Sequence, residues 1–392
     1  MSTAVSLLLF VLAVPAVLSC AYLLLLTLLS QRARPLLPSS RVLKFDVIVP
    51  AHNEASVIER TVKSLRNIDW PPDRFRIVVV ADNCTDTTAI LARQAGATVL
   101  ERQDASLRGK GYALNFAFRL SGEHGFADAL VVVDADSEVS RNLLSAFAAR
   151  LERGESAVQA HYGILNPMAS WRTRLITIAK GSFHIVRSRA RERLKLSCGI
   201  RGNGWCVTRK LLQQVPYQAY SLTEDLEYGI DLGLAGFRVA YADEAHSNAE
   251  MVTDEKTAST QRRRWEDGRF NLVRTRTLPV LLAALRRADP VCLDLGFDLL
   301  VLPLSYVTLN VLLLATCAAL ALLLKLATLT WAWIALACTL SVMAYVLRGW
   351  QCSGIGARGA LDLARAPGFV LWKLVLMLRP RSQGWVRTER EK

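Results

Sequence analysis

Charged side chains are scarce in this chain and missing from its start: they make up 21% of 392 residues, and the first is Arg32. With 52% hydrophobic residues the chain is too apolar for disorder and greasy for a plain cytosolic enzyme. The eight cysteines, at 20, 84, 198, 206, 292, 317, 338 and 352, form no repeated tight pair. That spacing argues against a disulfide framework and against a zinc knuckle. No GxGxxG follows the first strand pattern and no Walker A sequence occurs, which excludes a dinucleotide domain of the usual kind and a P-loop. The net charge is +14, yet no helix-turn-helix or RNP-type signature accompanies it, so no nucleic-acid partner is expected. The length allows two or three domains.

What is present begins with long uncharged runs. Ser6 to Leu29 is 24 residues without a charge, and Leu299 to Leu324 and Leu326 to Leu347 add 26 and 22, separated by Lys325. About 20 apolar residues cross a bilayer core. A cleaved signal peptide near Ser19-Cys20-Ala21 is the alternative for the first run, but it would need a basic start and a shorter apolar stretch. Arg32, Arg34, Arg41 and Lys44 follow the first run, and Arg348 and Arg358 follow the third. Positive charge stays on the cytoplasmic side. The expected protein is therefore multi-pass in the cytoplasmic (inner) membrane, N-terminus outside, with a transmembrane hairpin near its C-terminus. Its expected parts are an anchor over 1–31, a cytoplasmic domain over 32–290 with interfacial segments, the hairpin over 291–347 and a cytoplasmic or interfacial tail over 348–392. Gly368 to Leu378 is too short to span. Free cysteines suit a cytoplasmic setting.

Between the runs, strand and helix patterns alternate. Phe45–Pro50, Arg76–Val80, Ala97–Leu100 and Ala129–Val133 read as strands. A helix with Ile58, Val62 and Leu65 on one face follows the first, and a helix to about Gln94, stopped by Gly96, follows the second. Such alternation predicts an α/β, doubly wound, Rossmann-type unit. Ligands bind beyond the carboxyl ends of such strands, where His52-Asn53-Glu54, Asp82 and Asp134-Ala135-Asp136 lie.

Three clusters carry chemistry. Asp134 and Asp136 point the same way in extended backbone, and two facing carboxylates stay ionised most easily beside a cation, as Mg²⁺ or Mn²⁺ sites provide. A solvated turn is the bland alternative. Thr223-Glu224-Asp225 opens a helix, where Thr223 can cap and the acids suit the helix dipole. A functional version needs Asp225 to point into the crevice as a base. Six arginines against two acids lie between Gln261 and Arg276, and Trp265 offers a flat face. Arginine forks suit diphosphates, but arginine and tryptophan also suit a phospholipid surface. The basic stretch Lys180 to Lys195 reads as a surface meeting headgroups or a lipid-linked acceptor, with a solvated face as the alternative. Gly109-Lys110-Gly111 is a loop whose lysine could meet a phosphate.

Taken together, these residues resemble the membrane-integral glycosyltransferases of family 2, relatives of cellulose, hyaluronan and poly-N-acetylglucosamine synthases, over nearly the whole chain. Val49 to Glu54 looks like the family's opening signature, and Gln261, Arg264 and Trp265 match QxxRW in spacing. The resemblance implies a GT-A-like catalytic domain and inverting transfer of a hexosyl or N-acetylhexosaminyl unit from a nucleotide-diphospho sugar. It implies donor contacts at Pro50, Glu54, Asp82 (to the base), Lys110, Asp134, Asp136 and Arg264. It implies Mg²⁺ or Mn²⁺ on Asp136 and Asp134, Asp225 as base with Glu224 beside it, and acceptor contacts at Gly204, Trp205, Gln261 and Trp265. His161 and Tyr162 would line the donor sugar pocket. His52 reads as a packing or hydrogen-bonding residue, and Cys206 lacks a base that would make it a nucleophile. The acceptor would be lipid-linked or a glycan, with bilayer lipids and other polysaccharide-assembly membrane proteins as further partners. A processive polysaccharide synthase and a non-catalytic membrane protein are the competing readings. Three spans, fewer than in the cellulose synthase branch, favour single or few additions. The tail from Gly384 to Arg390 looks like that of smaller exopolysaccharide and glycolipid relatives.

Overall fold

The protein was examined as a computed structural model, which describes residues 3–33, 36, 38–251, 255–366 and 368, the side chains of 255–264 excepted. The Gly368 to Leu378 segment beyond its first residue, and the tail, lie outside the described residues. The chain forms two compact units. One comprises Met1–Gln31, Met168–Arg193 and the described residues from Phe297 onward; the other comprises Arg32–Pro167 and Leu194–Gly296.

The first unit holds three helices long and apolar enough to cross a membrane, Thr3–Leu29, Leu304–Leu323 and Leu329–Ser353. The last two form the expected hairpin, turning at Lys325 with φ 57°. Small side chains meet between these helices: Ala13, Ala16, Cys20, Ala318, Ala321, Ala335 and Cys338 are all buried there. Small residues let helices approach closely where lipid supplies no hydrophobic drive. A fourth partner in this packing is the segment Met168–Arg193. Its helices Trp171–Lys180 and Arg187–Arg193 are joined through a π-turn at Gly181–Val186. A Cβ on Gly181 would lie 2.6 Å from the Gly349 carbonyl oxygen, so the two helices cross backbone to backbone.

That segment corrects the surface reading of Lys180 to Lys195. Arg187 and Arg191 are 2% and 0% exposed. Both grip Asp298, at 2.7 and 2.8 Å. Arg187 also donates to the Tyr345 hydroxyl and Arg191 to that of Tyr22. Four apart on a helix, the two arginines share a face. That face turns inward because it finds a carboxylate there.

The second unit is a mixed α/β domain. Its eight strands are β1 (Phe45–Ala51), β2 (Phe75–Asp82), β3 (Thr98–Arg102), β4 (Ala129–Val132), β5 (Ser137–Val139), β6 (Ala157–Ile164), β7 (Trp205–Thr208) and β8 (Val239–Ala249), in the order β3-β2-β1-β4-β7-β6-β8-β5. The first four run parallel, as their apolar sequences require. Residues alternate between the faces. Val47, Val49, Val131 and Val133 pack under the helices Ile58–Arg66 and Leu143–Leu151, while Ile48, Leu130 and Val132 pack under Lys110–His124 and Glu224–Leu234. The doubly wound expectation holds over this half only. Past β4 the sheet turns mixed: β7 is antiparallel to β4 and to β6, β8 is parallel to β6, and β5 is antiparallel to β8.

Candidate active site

The parallel strands deliver their carboxyl ends to one edge. After β1, Asn53 turns the chain with φ 55°, and after β2 Asn83 does so with φ 49°. The two loops are stitched together: Asn53 Oδ1 accepts from the Thr85 N–H at 2.7 Å, and His52 Nδ1 donates to the Asp82 carbonyl at 2.7 Å. His52 is thus a hydrogen-bonding residue of the loop. Asp82 is buried, and its Oδ1 accepts from Arg102 Nη1 at 2.6 Å and from Asn83 Nδ2 at 3.1 Å. Pro50, one residue before the end of β1, pairs with Val80 of β2, and Glu54 follows in the loop, where its backbone carbonyl starts the next helix.

Lys110 is the first residue of the helix Lys110–His124 and reaches across the edge. Its Nζ lies 2.6 Å from Asp134 Oδ1, 2.7 Å from the Gly202 carbonyl oxygen and 3.6 Å from Glu224 Oε1. Asp225 stands next to Glu224 in the first turn of its helix, and a Cβ on Gly202 would lie 3.0 Å from Asp225 Oδ2. Burial pulls the Lys110 ammonium down, but Asp134, Glu224 and Asp225 outweigh it and hold it above its usual range. Burial is also the main cause that pushes Glu224 up to about 7, with Lys110 opposing and Asp225 and Asp134 adding to the rise. Asp225 is raised by burial, opposed chiefly by Lys110. The Tyr162 hydroxyl is held well above its usual range by burial and then by Asp134, Asp136 and Asp225, which places it among the carboxylates.

The sequence-expected residues are not all brought together. Lys110, Asp134, Glu224 and Asp225 converge. Asp136 is linked to them through Ser137, whose hydroxyl donates to Asp136 Oδ1 at 3.3 Å. Trp265 is 37% exposed on the helix Glu255–Arg287. The side chains of Gln261 and Arg264 lie outside the described residues. Two residues expected to meet the acceptor, Trp205 and Gly204, lie in the sheet. Trp205 is 1% exposed and packs among Phe118, Tyr217 and Tyr228, beneath the site rather than in its wall. β7 runs between β4 and β6, so its side chains meet core on the sheet face. Gly204 gives its N–H to Val132 and its carbonyl to Ala160, so its backbone is paired within the sheet. Thr223 does not cap its helix through its side chain. It packs instead on Gly268, where a Cβ would come within 2.5 Å of Thr223 Cγ2.

Sequence reasoning missed Asn203, Ser137 and Arg102 as parts of this site. Asn203 lies between Gly202 and Gly204, and these flanking glycines are a signal in the sequence that could have found it.

Four carboxylates against one ammonium leave a surplus of negative charge. Among the described residues no group of three or more His, Cys, Asp or Glu forms a closed cage for a metal. Asp134 and Asp136, two residues apart where the chain turns after β4, could hold Mg²⁺ in the way that one or two carboxylates do, with substrate phosphates completing the shell.

A family model described as "Glycosyltransferase like family 2" matches residues 43–268. The chain is 26% identical over 234 residues to the probable glycosyltransferase YdaM of Bacillus subtilis, covering 57% of this chain and 55% of that protein. It is 29% identical over 231 residues to a beta-monoglucosyldiacylglycerol synthase of Nostoc sp., covering 57% and 48%. The chain spans about half the length of these curated relatives. A solved mannosyltransferase of Pyrobaculum calidifontis, in complex with GDP-mannose and Mn²⁺, shares the fold at TM-score 0.52 and 20% identity, over 88% of this chain and 98% of that one.

Proposed function

The chain belongs to this glycosyltransferase family 2, and we propose that it is an inverting, metal-dependent enzyme with a GT-A-type catalytic domain. It transfers a hexosyl or N-acetylhexosaminyl unit from a nucleotide-diphospho sugar, in the first instance a UDP sugar, to a lipid-linked or glycan acceptor at the cytoplasmic membrane face. The observation that carries the reading is the convergence of Asp134, Glu224 and Asp225 on Lys110 at the carboxyl edge of the parallel strands. The three membrane-crossing helices and the Nostoc relative, by its name a synthase of a glucosyl lipid, support a lipid-linked acceptor.

Asp82 and its loop hold the base. Asp134 and Asp136 would hold Mg²⁺ or Mn²⁺, which supplies positive charge to the donor diphosphate. Lys110, already poised among carboxylates, adds a second cation to the departing diphosphate. An acceptor hydroxyl is a poor nucleophile near neutrality. Asp225 takes its proton as the hydroxyl oxygen bonds to the anomeric carbon and the bond to the diphosphate oxygen breaks. Burial makes Asp225 a stronger base than a solvated aspartate, which suits the task. Glu224, pushed up to about 7 chiefly by burial, stands beside it in the first turn of the same helix. One displacement inverts the anomeric centre.

A panel of nucleotide sugars, offered to the purified protein with polyprenyl-phosphate-linked and glycolipid acceptors, tests this reading. The expected result is Mn²⁺- or Mg²⁺-dependent release of one nucleoside diphosphate with a short product. Release from no donor would contradict it.

A further inference from the structure

Asn203 is fully buried, out of reach of a substrate, yet its side chain makes three hydrogen bonds, two of them to the carboxylate loop. Its Oδ1 accepts from the Asp134 backbone N–H at 3.1 Å and from the Ser247 hydroxyl at 2.9 Å. Its Nδ2 donates to the Ser137 hydroxyl at 2.8 Å. The orientation of the amide is forced, because the Asp134 N–H can only donate and must therefore face the oxygen. With its oxygen lone pair filled from Nδ2, the Ser137 hydroxyl turns its own proton outward, toward Asp136 Oδ1 at 3.3 Å. A relay thus runs from Asn203 through Ser137 to Asp136, while a second bond fixes Asp134 by its backbone.

The backbone around Asn203 ties in the rest of the site. The Gly202 carbonyl accepts from Lys110, and Gly202 abuts Asp225 closely enough that a Cβ would touch its carboxylate. Gln159 Nε2 donates to the Asn203 carbonyl at 2.7 Å, and Gln159 Oε1 accepts from the Arg201 N–H at 2.8 Å, bracketing the turn from below. Gly202 and Gly204 both adopt positive φ, at 94° and 67°, so the chain can bend sharply enough to point Asn203 inward. A Cβ on Gly204 would sit 2.6 Å from Ser247 Cβ and would push Ser247 off the amide.

We infer that Asn203 is a positioning residue, which through Ser137 and the Asp134 backbone fixes the Asp134–Asp136 pair in the orientation that binds a divalent cation and the donor diphosphate. The inference rests on reading those carboxylates as the donor-diphosphate site. Groups that orient a metal's ligands typically govern affinity by about 10–100-fold.

The test uses the full chain in detergent and Mn²⁺ alone, with no donor, followed by loss of the free Mn²⁺ resonance in electron paramagnetic resonance. Thermal melting is measured in parallel, together with donor KM and kcat where turnover is found. Asn203→Ala is expected to weaken Mn²⁺ binding by about ten-fold or more. Ser137→Ala, which removes only the relay hydroxyl, should weaken it in the same direction, and Ser137→Thr, which restores a hydroxyl, should return it to the unaltered value. Donor KM should rise in the same order with a smaller change in kcat. Should Asn203→Ala fail to fold, the Ser137 pair decides. Unchanged Mn²⁺ affinity in the variants, or a lowered melting temperature without weaker Mn²⁺ binding, would overturn the inference alone. Ser137→Thr as weak as Ser137→Ala would overturn it too, by making the effect one of packing. No Mn²⁺ binding by the unaltered chain would overturn the reading of the site, and the inference with it.

Discussion

Glu224→Gln should make the protein more stable in alkaline solution while damaging its activity. The Glu224 carboxyl is pushed up to about 7 by burial, against an ordinary value near 4.5. The folded chain therefore binds this proton more tightly than the unfolded chain does. The stabilising contribution is complete below about pH 4.5 and is lost as pH rises through about 7. Above that, folding must keep a buried, ionised carboxylate, at a cost of about 3 kcal/mol at 1.36 kcal/mol per pKa unit. Glutamine keeps the shape and never ionises. Near pH 4.5 the two proteins should melt together, and by about pH 8 the variant should be ahead by about 3 kcal/mol, or roughly 6–12 °C for a domain of this size. Melting of the two detergent-solubilised proteins, without metal or donor, at several pH values between these limits reads the gap directly. A gap independent of pH, or a variant less stable at pH 8, would refute the assignment of a strained, proton-holding Glu224. Greater stability with poorer turnover is what a site that stores electrostatic strain predicts.

Two further outcomes follow from the same geometry. Gly202→Ala forces a side chain into a φ of 94° and sets its Cβ 3.0 Å from Asp225 Oδ2. It should cost about 1–2 kcal/mol in stability from the backbone alone and lower kcat more than donor KM, as melting and steady-state kinetics would show. Asp298→Asn removes a carboxylate gripped by both Arg187 and Arg191 and should destabilise the membrane unit by about 3–5 kcal/mol, seen as faster loss of monodisperse protein on heating in detergent.

β1, β2 and β4 were legible because each is a short run of β-branched and apolar residues buried on both faces of a parallel sheet, and the edge strand β3 shows the signal more weakly. The reading stopped at β4 for a physical reason. β7 is four residues long and β8 carries Asp243, Glu244, His246 and Asn248, so neither shows the apolar run or clean alternation that marks a strand. Lys110, Asp134 and Asp225 could be named individually, but not their meeting, which depends on a helix start, a strand end and a second helix start converging from distant sequence. The place of Trp205 was not legible, because pairing within the sheet turns its ring into an aromatic core whose other members lie elsewhere in the sequence. Arg187 and Arg191 misled because the partner that buries them, Asp298, is more than a hundred residues away and leaves no local trace.

The central claim is that Asp225 takes the acceptor's proton. It is tested most directly with Asp225→Asn, by measuring acceptor-dependent release of nucleoside diphosphate alongside donor binding. The account predicts donor binding close to that of the unaltered protein and a kcat lower by about 10²–10⁴-fold, the usual worth of a positioned general base. Turnover at the unaltered rate would contradict it and move the proton transfer to another group.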